Sequence, residues 1–433
     1  MPRASLFGGS WFNVVSAGSR DAFLDYWPDD SNVNIGARGR SDDRTSTRRR
    51  SRSRRSSTAA SMRFRWSALL SCFGEHIKGS GIAGRRELFR SSIPAAGIYF
   101  GILMTKRYRN LVGKIVAPAN MHEAYRLVAR GKRMTGGYLD FKEYDGLNLA
   151  ELADDLATGR YQQGPPSEFY VFDPKKRLIS ALPFRDRVAQ QALCLVIGPI
   201  FERAMLPRTF ASRPGKGTHS GVQALQSDLR RLASCGPVYF LKTDFARYFA
   251  SIDRARLWQL IEAKISCAGT IRILEAMIPR SGKGLPIGSL TSQIFANVYT
   301  GATLDRHLQQ GLGEKLWYRY MDDIVVLGTS SERLHQVKTS IETFSRDDLG
   351  LTFSKWQIAP ASRGINFLGY RIWASHKLLR RDSVSRARRI IAACRKHGDT
   401  HRLSKFLPAW LGHASHADSM NLLRCLSANC GEM

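Results

Sequence analysis

The sequence predicts an α+β fold, in which short apolar strands alternate with long helical insertions. Three strand-like stretches carry this prediction, and each is rich in β-branched or aromatic residues: 237–253, 316–328 and 365–373. The segments between them favour helices, and no internal repeat is present. The apolar fraction of 43% is that of a globular protein, and no apolar run approaches the length of a membrane span.

The N-terminal part of the chain differs in composition from the rest. Residues 37–57 are a low-complexity Arg/Ser stretch with almost nothing to bury, so we expect them to be disordered. Residues 6–39 are rich in Gly and Asn, with spaced aromatic residues and without helical or strand periodicity. From Met104 onward the pattern becomes that of a folded enzyme.

The elements of the folded part follow from local patterns. Two amphipathic helices, NMHEAYRLVARGK and LNLAELADDLATG, come first, and the second should end at Gly159 as its C-cap. Residues 168–184 alternate as a hairpin with DPKK as its turn, and a largely apolar, buried helix follows, DRVAQQALCLVIGPIFERAM.

The remaining elements alternate between strands and helices. The apolar strand in PVYFLKTDF has an acid, Asp244, at its C-terminal end. A Gly/Pro turn then feeds a long helix in GKGLPIGSLTSQIFANVYTGATLDRHL, and LWYRYMDDIVVLG predicts strand, tight turn and strand. A helix over RLHQVKTSIETFSRDDLGL and a strand pair over INFLGYRIW come next. From about His376 the tail is predicted to be helical and strongly basic.

The formal charge of +30 argues for a polyanionic partner, with nucleic acid as the first choice. A basic membrane-surface protein is the competing interpretation, but no amphipathic basic helix stands out to support it. Seven cysteines without a paired framework suit a reducing cytoplasm.

Two adjacent acids between apolar strand-like stretches indicate a site for a divalent metal ion. Asp322 and Asp323 repel each other unless a cation offsets their charges, and at a tight turn both can approach one site. If their strands pair with the strand that ends near Asp244, the carboxylates meet at one edge. Such a set can hold two Mg²⁺ ions, with Mn²⁺ as an alternative, about 3.5–4 Å apart. A solvated acidic turn is the alternative for the pair taken alone.

These motifs resemble those of reverse transcriptases. YMDD resembles the acidic turn of that family, and FLKTDFARYF its first catalytic strand. RLISALPFRDRVAQQAL resembles the fingers segment, LPIGSLTSQIFAN the Gly-turn and helix beneath the nascent base pair, LTFSKWQ the motif with a basic residue near the phosphates, and INFLGYRI the primer grip. The resemblance covers about residues 104–420 and implies a right-hand polymerase: 104–235 fingers, 236–375 palm with an antiparallel sheet plus helices, 376–433 helical thumb.

The resemblance also implies residue roles. Asp244 and Asp322 match the direct metal ligands, and Asp323 matches an acid that acts partly from behind them. Phe249 matches the bulky residue that excludes ribonucleotides, with an ordinary core phenylalanine as the alternative. Arg177 and Lys175 match fingers positions that meet the triphosphate, although a solvated hairpin tip would also explain Lys175.

The remaining matched positions line the nucleotide and primer sites. Lys355 matches a candidate acid beside the phosphates, and Gly288 permits a close backbone approach to the base pair. Ile287 and Gln293 belong to the same nucleotide-binding motif. Phe367, Leu368 and Gly369 match the primer grip and are equally well explained as core.

The motif IGSLTSQ resembles one subgroup of reverse transcriptases more than the others. Most reverse transcriptases carry Gln before the Gly and Ser-Pro after it, whereas this form is similar to the enzymes of diversity-generating retroelements. That likeness implies a bacterial or phage-encoded cytoplasmic enzyme that copies a template-repeat RNA with adenine-specific infidelity, in mutagenic retrohoming. Its implied partners are template RNA, a DNA or RNA primer, deoxynucleoside triphosphates and a basic accessory helper protein, without a membrane.

Under this likeness residues 1–103 are an N-terminal extension of translated template repeat plus spacer, joined in frame by an early start codon. A genuine RNA-binding tail and a fused lectin-like module are the alternatives. For the whole chain, the alternatives are an ordinary group II intron or retron reverse transcriptase and a non-catalytic RNA-binding protein. Against the intron version, no endonuclease segment follows the expected thumb.

Overall fold

The structure is a computed structural model that describes residues 106–172 and 176–428. The predictions for residues 1–103 and for Lys175 therefore lie outside the described residues.

The first part of the described chain is helical around one hairpin. Strands β1 (Ser167–Val171) and β2 (Arg177–Ala181) pair antiparallel, as predicted, with Val171 opposite Arg177. The helix before the hairpin ends at Gly159, which has a left-handed φ of 79°, and this prediction is also confirmed. The helices of this part are α1 (Val112–Ile115), α2 (Pro118–Ala129), α3 (Gly136–Glu143), α4 (Asp145–Thr158), α5 (Phe184–Glu202) and α6 (Thr218–Ala233).

The centre of the fold is a four-stranded antiparallel sheet. Its spatial order is β4-β5-β3-β6, so β3 and β5 are the interior strands. The strand–turn–strand prediction for residues 316–328 is confirmed by β4 and β5. The strands are β3 (Tyr239–Phe245), β4 (Trp317–Tyr320), β5 (Asp323–Gly328) and β6 (Phe353–Pro360).

Helices pack around this sheet and form one continuous apolar core with it. Helix α12 lies against β3, β5 and β6, and α10 is buried along its whole length. A π-helical turn over His307–Gly311 links α11 to β4. The helices are α7 (Tyr248–Ser251), α8 (Arg254–Glu262), α9 (Ala268–Met277), α10 (Leu290–Gly301), α11 (Leu304–Arg306) and α12 (Ser331–Leu349).

A second, three-stranded sheet begins the C-terminal part. Strands β7 (Ile365–Phe367) and β8 (Tyr370–Ile372) form the predicted strand pair, and β9 (Lys377–Leu379) adds to β8. The tail is therefore not helical from His376, because its first residues complete this sheet. Helices α13 (Arg381–Lys396), α14 (Thr400–Ala414) and α15 (Met420–Ala428) follow. None of the helices within residues 106–172 and 176–428 combines the length and apolar character needed to cross a bilayer.

Candidate active site

The interior strands bring the predicted acids together. Strands β3 and β5 pair antiparallel with Asp244 directly opposite Asp323, so the expected strand adjacency is confirmed. Residues directly opposite each other in an antiparallel pair project to the same face of the sheet. Asp244 is 5% exposed, and the side chain of Asp323 is fully buried. The sheet register therefore holds both residues at the same end of the two interior strands.

The acidic turn, residues 320–323, joins β4 to β5 through a two-residue loop. Met321 has a φ of 52°, a left-handed conformation that costs a non-glycine residue free energy. The backbone is fixed from two sides: the Phe245 amide donates to the Asp322 carbonyl at 3.3 Å, and Arg319 Nη1 donates to the Met321 carbonyl at 3.2 Å. These bonds hold Asp322 beside the end of β3.

Arg319 anchors this turn from the core. Its side chain is fully buried and forms a fork with Asp305, with Nε and Nη2 at 2.7 and 2.8 Å from the two carboxylate oxygens. Nη1 also donates to Asn297 Oδ1 at 3.0 Å. Burial opposes the charge of the guanidinium, but the pair with Asp305 outweighs it, and the pKa of Arg319 is raised. Sequence reasoning missed this role, although an arginine within an apolar strand is the pattern that could have indicated it.

The two acids at the sheet edge have different cationic neighbours. Lys242 Nζ donates to both carboxylate oxygens of Asp323, at 2.8 and 3.0 Å. Lys355 Nζ lies 3.9 Å from Asp244 Oδ2, beyond hydrogen-bond distance, and its side chain is 65% exposed. The Asp323 carboxylate is therefore hydrogen-bonded to its neighbouring lysine, whereas Lys355 lies near Asp244 without a hydrogen bond to it.

The donor chemistry suits a hard divalent cation. Asp244 and Asp322 carry carboxylate oxygens, the ligands that Mg²⁺ prefers, and the bond from the Phe245 amide to the Asp322 carbonyl holds the two residues close together in the fold. Within the part of the chain that the structure describes, no group of three or more His, Cys, Asp or Glu side chains is arranged to hold a metal ion. The Asp323 carboxylate lies against the Lys242 ammonium, and the assignment of Asp244 and Asp322 as the direct metal ligands stays a prediction.

An open basic pocket adjoins Asp244. It lies between the two sheets and contains three cations among its lining residues: Lys242, Thr243, Lys355, Trp356, Gln357, Asn366 and Arg380. Cations in a partly enclosed pocket attract polyanions such as a phosphate chain. Lys355 lines this pocket and lies opposite Asp244 in the sheet, and its contact with phosphate stays a prediction.

Gly288 is required by the protein's own backbone. Its φ is 117°, and a Cβ there would stand 2.7 Å from the Ser180 carbonyl oxygen of β2. The neighbouring Ile287 carbonyl accepts a hydrogen bond from the Ser180 amide at 2.8 Å. The backbone conformation and the contact with Ser180 are thus enough to explain why residue 288 is glycine. Room for a base pair at Gly288 stays a prediction. The contact of Gly288 with Ser180 fixes β2, the strand that begins with the half-buried Arg177, against this loop.

Gln293 and a residue that sequence reasoning missed hold the start of α10. Gln293 is buried, and its Oε1 accepts a hydrogen bond from Ser212 Oγ at 3.3 Å. Gln190 Oε1 accepts from Ser289 Oγ at 2.9 Å and from the Leu290 amide at 3.1 Å. Gln190 thus holds the loop after Gly288, Gln293 ties α10 to Ser212, and a contact of Gln293 with nucleotide stays a prediction.

Phe249 lies in the single-turn helix α7, close to the end of β3. Its ring meets that of Tyr248 edge to face at 5.7 Å, and the residue is half-buried. The Tyr248 hydroxyl donates to the Ala296 carbonyl at 2.6 Å, and burial raises its pKa. Packing on the core accounts for part of the Phe249 side chain, so its role in excluding ribonucleotides stays a prediction.

The predicted primer grip is a tight turn between β7 and β8. Leu368 and Gly369 both have positive φ, 49° and 87°. Phe367 and Leu368 are buried, and a Cβ on Gly369 would stand 3.0 Å from the His413 ring of α14. The core explanation for these residues therefore holds, and contact with a primer stays a prediction.

The family comparison agrees with this geometry. The family model described as reverse transcriptase (RNA-dependent DNA polymerase) matches residues 172–372, which include both interior strands, the acidic turn and the β7/β8 turn.

Similar proteins include two bacterial relatives. Protein YkfC of Escherichia coli is 21% identical over 330 residues, which cover 61% of this chain and 83% of that protein. The group II intron-encoded protein LtrA of Lactococcus lactis is 22% identical over 214 residues, which cover 46% of this chain but 34% of LtrA. Telomerase from Candida albicans aligns structurally over 56% of this chain and 51% of its own, with a TM-score of 0.38 and 12% identity. Residues 172–372 therefore form a reverse transcriptase domain of the type found in group II intron-encoded proteins, and the enzyme class that this domain defines is RNA-directed DNA polymerase.

Proposed function

We propose that the protein copies an RNA template into DNA at the edge formed by Asp244 and the acidic turn. The observation that carries this proposal is the register of β3 and β5, which sets Asp244 opposite Asp323 and beside Asp322. In this proposal residues 104–235 are the fingers, 236–375 the palm and 376–433 the thumb. Template RNA, a primer and deoxynucleoside triphosphates are the substrates.

Asp244 and Asp322 would hold two Mg²⁺ ions, or Mn²⁺, through their carboxylate oxygens, with Asp323 behind them. When bound, such ions polarise the attacking hydroxyl and stabilise the leaving pyrophosphate. The chain's own cations do the rest of the positioning: Arg177 and Lys175 meet the triphosphate from the hairpin, and Lys355 lies beside its phosphates. Phe249 limits space at the sugar, Ile287, Gly288 and Gln293 support the base pair, and the turn of Phe367, Leu368 and Gly369 holds the primer.

Replacing either acid tests the site. Asp244→Asn and Asp322→Asn should each reduce Mg²⁺-dependent primer extension on RNA by about 1000-fold or more, because each removes a ligand charge and little packing. Asp347→Asn is the matched control, since Asp347 lies on α12 with a 53% exposed side chain. Melting temperatures of all variants should stay near that of wild type. Extension above a trace in either site variant would show that the acids are misassigned.

We further propose that the enzyme belongs to a diversity-generating retroelement and misincorporates opposite template adenine, in mutagenic retrohoming. The support is the motif IGSLTSQ, in which Ile287 replaces the Gln of most reverse transcriptases. An isoleucine side chain offers no hydrogen bond to the incoming nucleotide, and one such bond is worth about 0.5–1.5 kcal/mol, or up to roughly tenfold in selection. The loop of Ile287 is bonded to β2, the strand that begins with Arg177.

Ile287→Gln should therefore lower misincorporation opposite template adenine by up to roughly tenfold, and more than opposite the other bases. Arg177→Ala should alter the same ratio through the position of the triphosphate. Sequencing cDNA made on one RNA measures all four template bases at once, so the other three bases are the internal control. An unchanged adenine error fraction in both variants would contradict the proposal.

A reverse transcriptase of a group II intron or retron, without targeted mutagenesis, is the second candidate. The similarity to LtrA favours it. The wild-type error spectrum separates the two candidates, because an ordinary enzyme should show no excess of errors at adenine. A basic accessory protein is a further partner under the retroelement proposal, and pull-down with the element's own small basic gene product tests it.

Residues 1–103 are proposed to be an extension that polymerisation does not need, in a protein of the bacterial cytoplasm. The motivation is the change of composition before Met104. A chain that starts at Met104 should match the full chain in primer extension and melting temperature, and in template binding at the same salt concentration. Loss of any of these would make the extension a working part of the enzyme.

A further inference from the structure

Lys242 lies in the interior strand β3, and its ammonium has oxygen partners from two different elements. Nζ donates to Asp323 Oδ1 and Oδ2 at 2.8 and 3.0 Å and to the Asn366 carbonyl at 2.5 Å. Its side chain is 15% exposed. A lysine ammonium has three N–H donors, so one Lys242 side chain can serve both elements at once.

The first contact separates the two acids of the turn. The side chain of Asp323 has no exposed surface, and a buried carboxylate is stable only when it is paired. An ammonium against both of its oxygens offsets the negative charge of this carboxylate and so weakens its attraction for another cation. Asp322, one residue earlier, is held through its backbone, because the Phe245 amide donates to its carbonyl at 3.3 Å.

The second contact joins two sheets. Asn366 lies in β7 of the three-stranded sheet, whereas Lys242 lies in the four-stranded sheet. The turn of Leu368 and Gly369 follows β7 directly, and the Phe367 ring centre is 5.8 Å from the ammonium. One cation therefore ties the acidic turn to the strand that leads into the β7/β8 turn.

We propose that Lys242 is a positioning residue for polymerisation, with two effects. It keeps Asp323 out of the set of metal ligands, and it sets the distance between the acidic turn and the β7/β8 turn. This inference rests on the proposed function, in which the first turn holds the metal ions and the second holds the primer end. The lysine itself contacts neither the primer end nor the reacting phosphorus.

The test is a cycle of three variants: Lys242→Met, Asp323→Asn and both together. Methionine keeps the length and the packing of the side chain and removes the charge. Lys338→Met is the matched control, because Lys338 has a side chain exposure of 16%, an ion pair with Glu342 and a cation–π contact with Trp356 at 4.8 Å. Melting temperatures accompany every variant. If Lys242→Met does not fold, Lys242→Gln takes its place in the first readout, and the double variant carries the second.

The first readout is Mn²⁺ binding followed by electron paramagnetic resonance, without nucleic acid. Lys242→Met should lower the half-saturating Mn²⁺ concentration by about threefold or more, because the variant removes the positive charge that lies against both Asp323 oxygens. The double variant should return to the wild-type value, and Lys338→Met should not move it. Equal Mn²⁺ binding by wild type and Lys242→Met overturns the first effect. This readout does not depend on activity, so its failure is separate from failure of wild type to polymerise, which would overturn the proposed function.

The second readout is the ratio of extension from matched and mismatched primer 3′ ends. Lys242→Met should reduce extension of matched ends by roughly 10- to 100-fold, and the ratio should change in both Lys242→Met and the double variant, because both lack the tie to Asn366. A purely structural role would lower both extensions together and leave the ratio constant. An unchanged ratio in the two variants overturns the second effect.

Discussion

Two buried ion pairs flank the acidic turn, and they are built from different cations. Behind the turn, Arg319 binds Asp305 through a fork, and both side chains are fully buried. In front of the turn, Lys242 binds Asp323, and the lysine side chain keeps 15% of its surface exposed at the edge of the basic pocket. The arginine pair has further partners in Asn297 and the Met321 carbonyl.

The difference follows from what each cation can do. A guanidinium is planar and always charged, so it suits a site where several acceptors have fixed directions. An ammonium is a compact charge on a flexible aliphatic chain, so its position can change beside an open pocket. We therefore expect the arginine pair to determine stability and the lysine pair to determine the geometry of catalysis.

Breaking the arginine pair should give the largest effect on stability. Arg319→Met leaves the Asp305 carboxylate and the Met321 carbonyl without this partner in the core, and we expect a loss of about 3–5 kcal/mol in the free energy of unfolding. Urea denaturation measures it. Arg319→Lys keeps the charge but loses the fork, so its loss should be smaller. If Lys242→Met destabilises the protein more than Arg319→Met, the division of roles between the two pairs is wrong.

Lowering the pH should destabilise the folded protein through His413, which lies next to the three-stranded sheet that Lys242 contacts. Burial first, and then the charges of His219 and His416, lower the pKa of His413 to about 4 from its usual 6.5. Its Nδ1 lies 2.9 Å from the Tyr370 hydroxyl of β8, the neighbour of the strand that Lys242 contacts. Between these two pKa values the unfolded chain binds more protons than the folded chain, so the free energy of unfolding falls as the pH is lowered from about 6.5 to 4.

The loss over this range should be about 2–3 kcal/mol in wild type, from the shift in pKa. Denaturation of wild type and His413→Gln at several pH values measures it, and the variant should lose most of this slope. An equal slope in both proteins would assign the acid sensitivity to other groups. His219 and His416 stack on each other and both lower the pKa of His413, so their single variants show how the slope is shared.

The uncharged contact between Gly288 and β2 should have the smallest effect on the free energy of unfolding. Gly288→Ala combines a φ of 117° with a Cβ 2.7 Å from the Ser180 carbonyl, and we expect a loss of about 1–3 kcal/mol. Gly313→Ala is the matched control, because Gly313 has a φ of 72° but no atom within 4 Å of a Cβ. Gly288→Ala should also raise the nucleotide concentration for half-maximal extension, and Gly313→Ala should not. Equal effects of the two variants would exclude the contact with β2 as the cause.

Local patterns were enough to predict much of the fold and the acids of the site. The apolar runs around Asp244 and around Asp322 and Asp323 predict strands, and a strand pair with a tight turn brings such residues together. Strand β6 was not predicted, because residues 354–357 are polar or exposed along the sheet edge and show no alternation. Helix α6 was not predicted either, since it begins with Thr218 after a Gly-rich turn.

The partners of the acids could not be predicted from the sequence. Lys242 lies two positions before Asp244, but its pairing with Asp323 depends on the register of β3 against β5. The pair of Arg319 and Asp305 likewise joins a strand to the short helix α11 through the core. Such contacts depend on tertiary packing, which local propensity does not specify.

The order of the central sheet has a consequence for how the enzyme fails on heating. Strands β3 and β5 lie inside the sheet, with β4 and β6 covering their outer edges. Interior strands open to solvent only when the whole domain unfolds, so their amides should be the slowest to exchange with deuterium. The acids of the site are thus attached to the last part of the molecule to open. Thermal inactivation should coincide with global unfolding rather than precede it, and the β1/β2 hairpin, a two-stranded sheet, should exchange first.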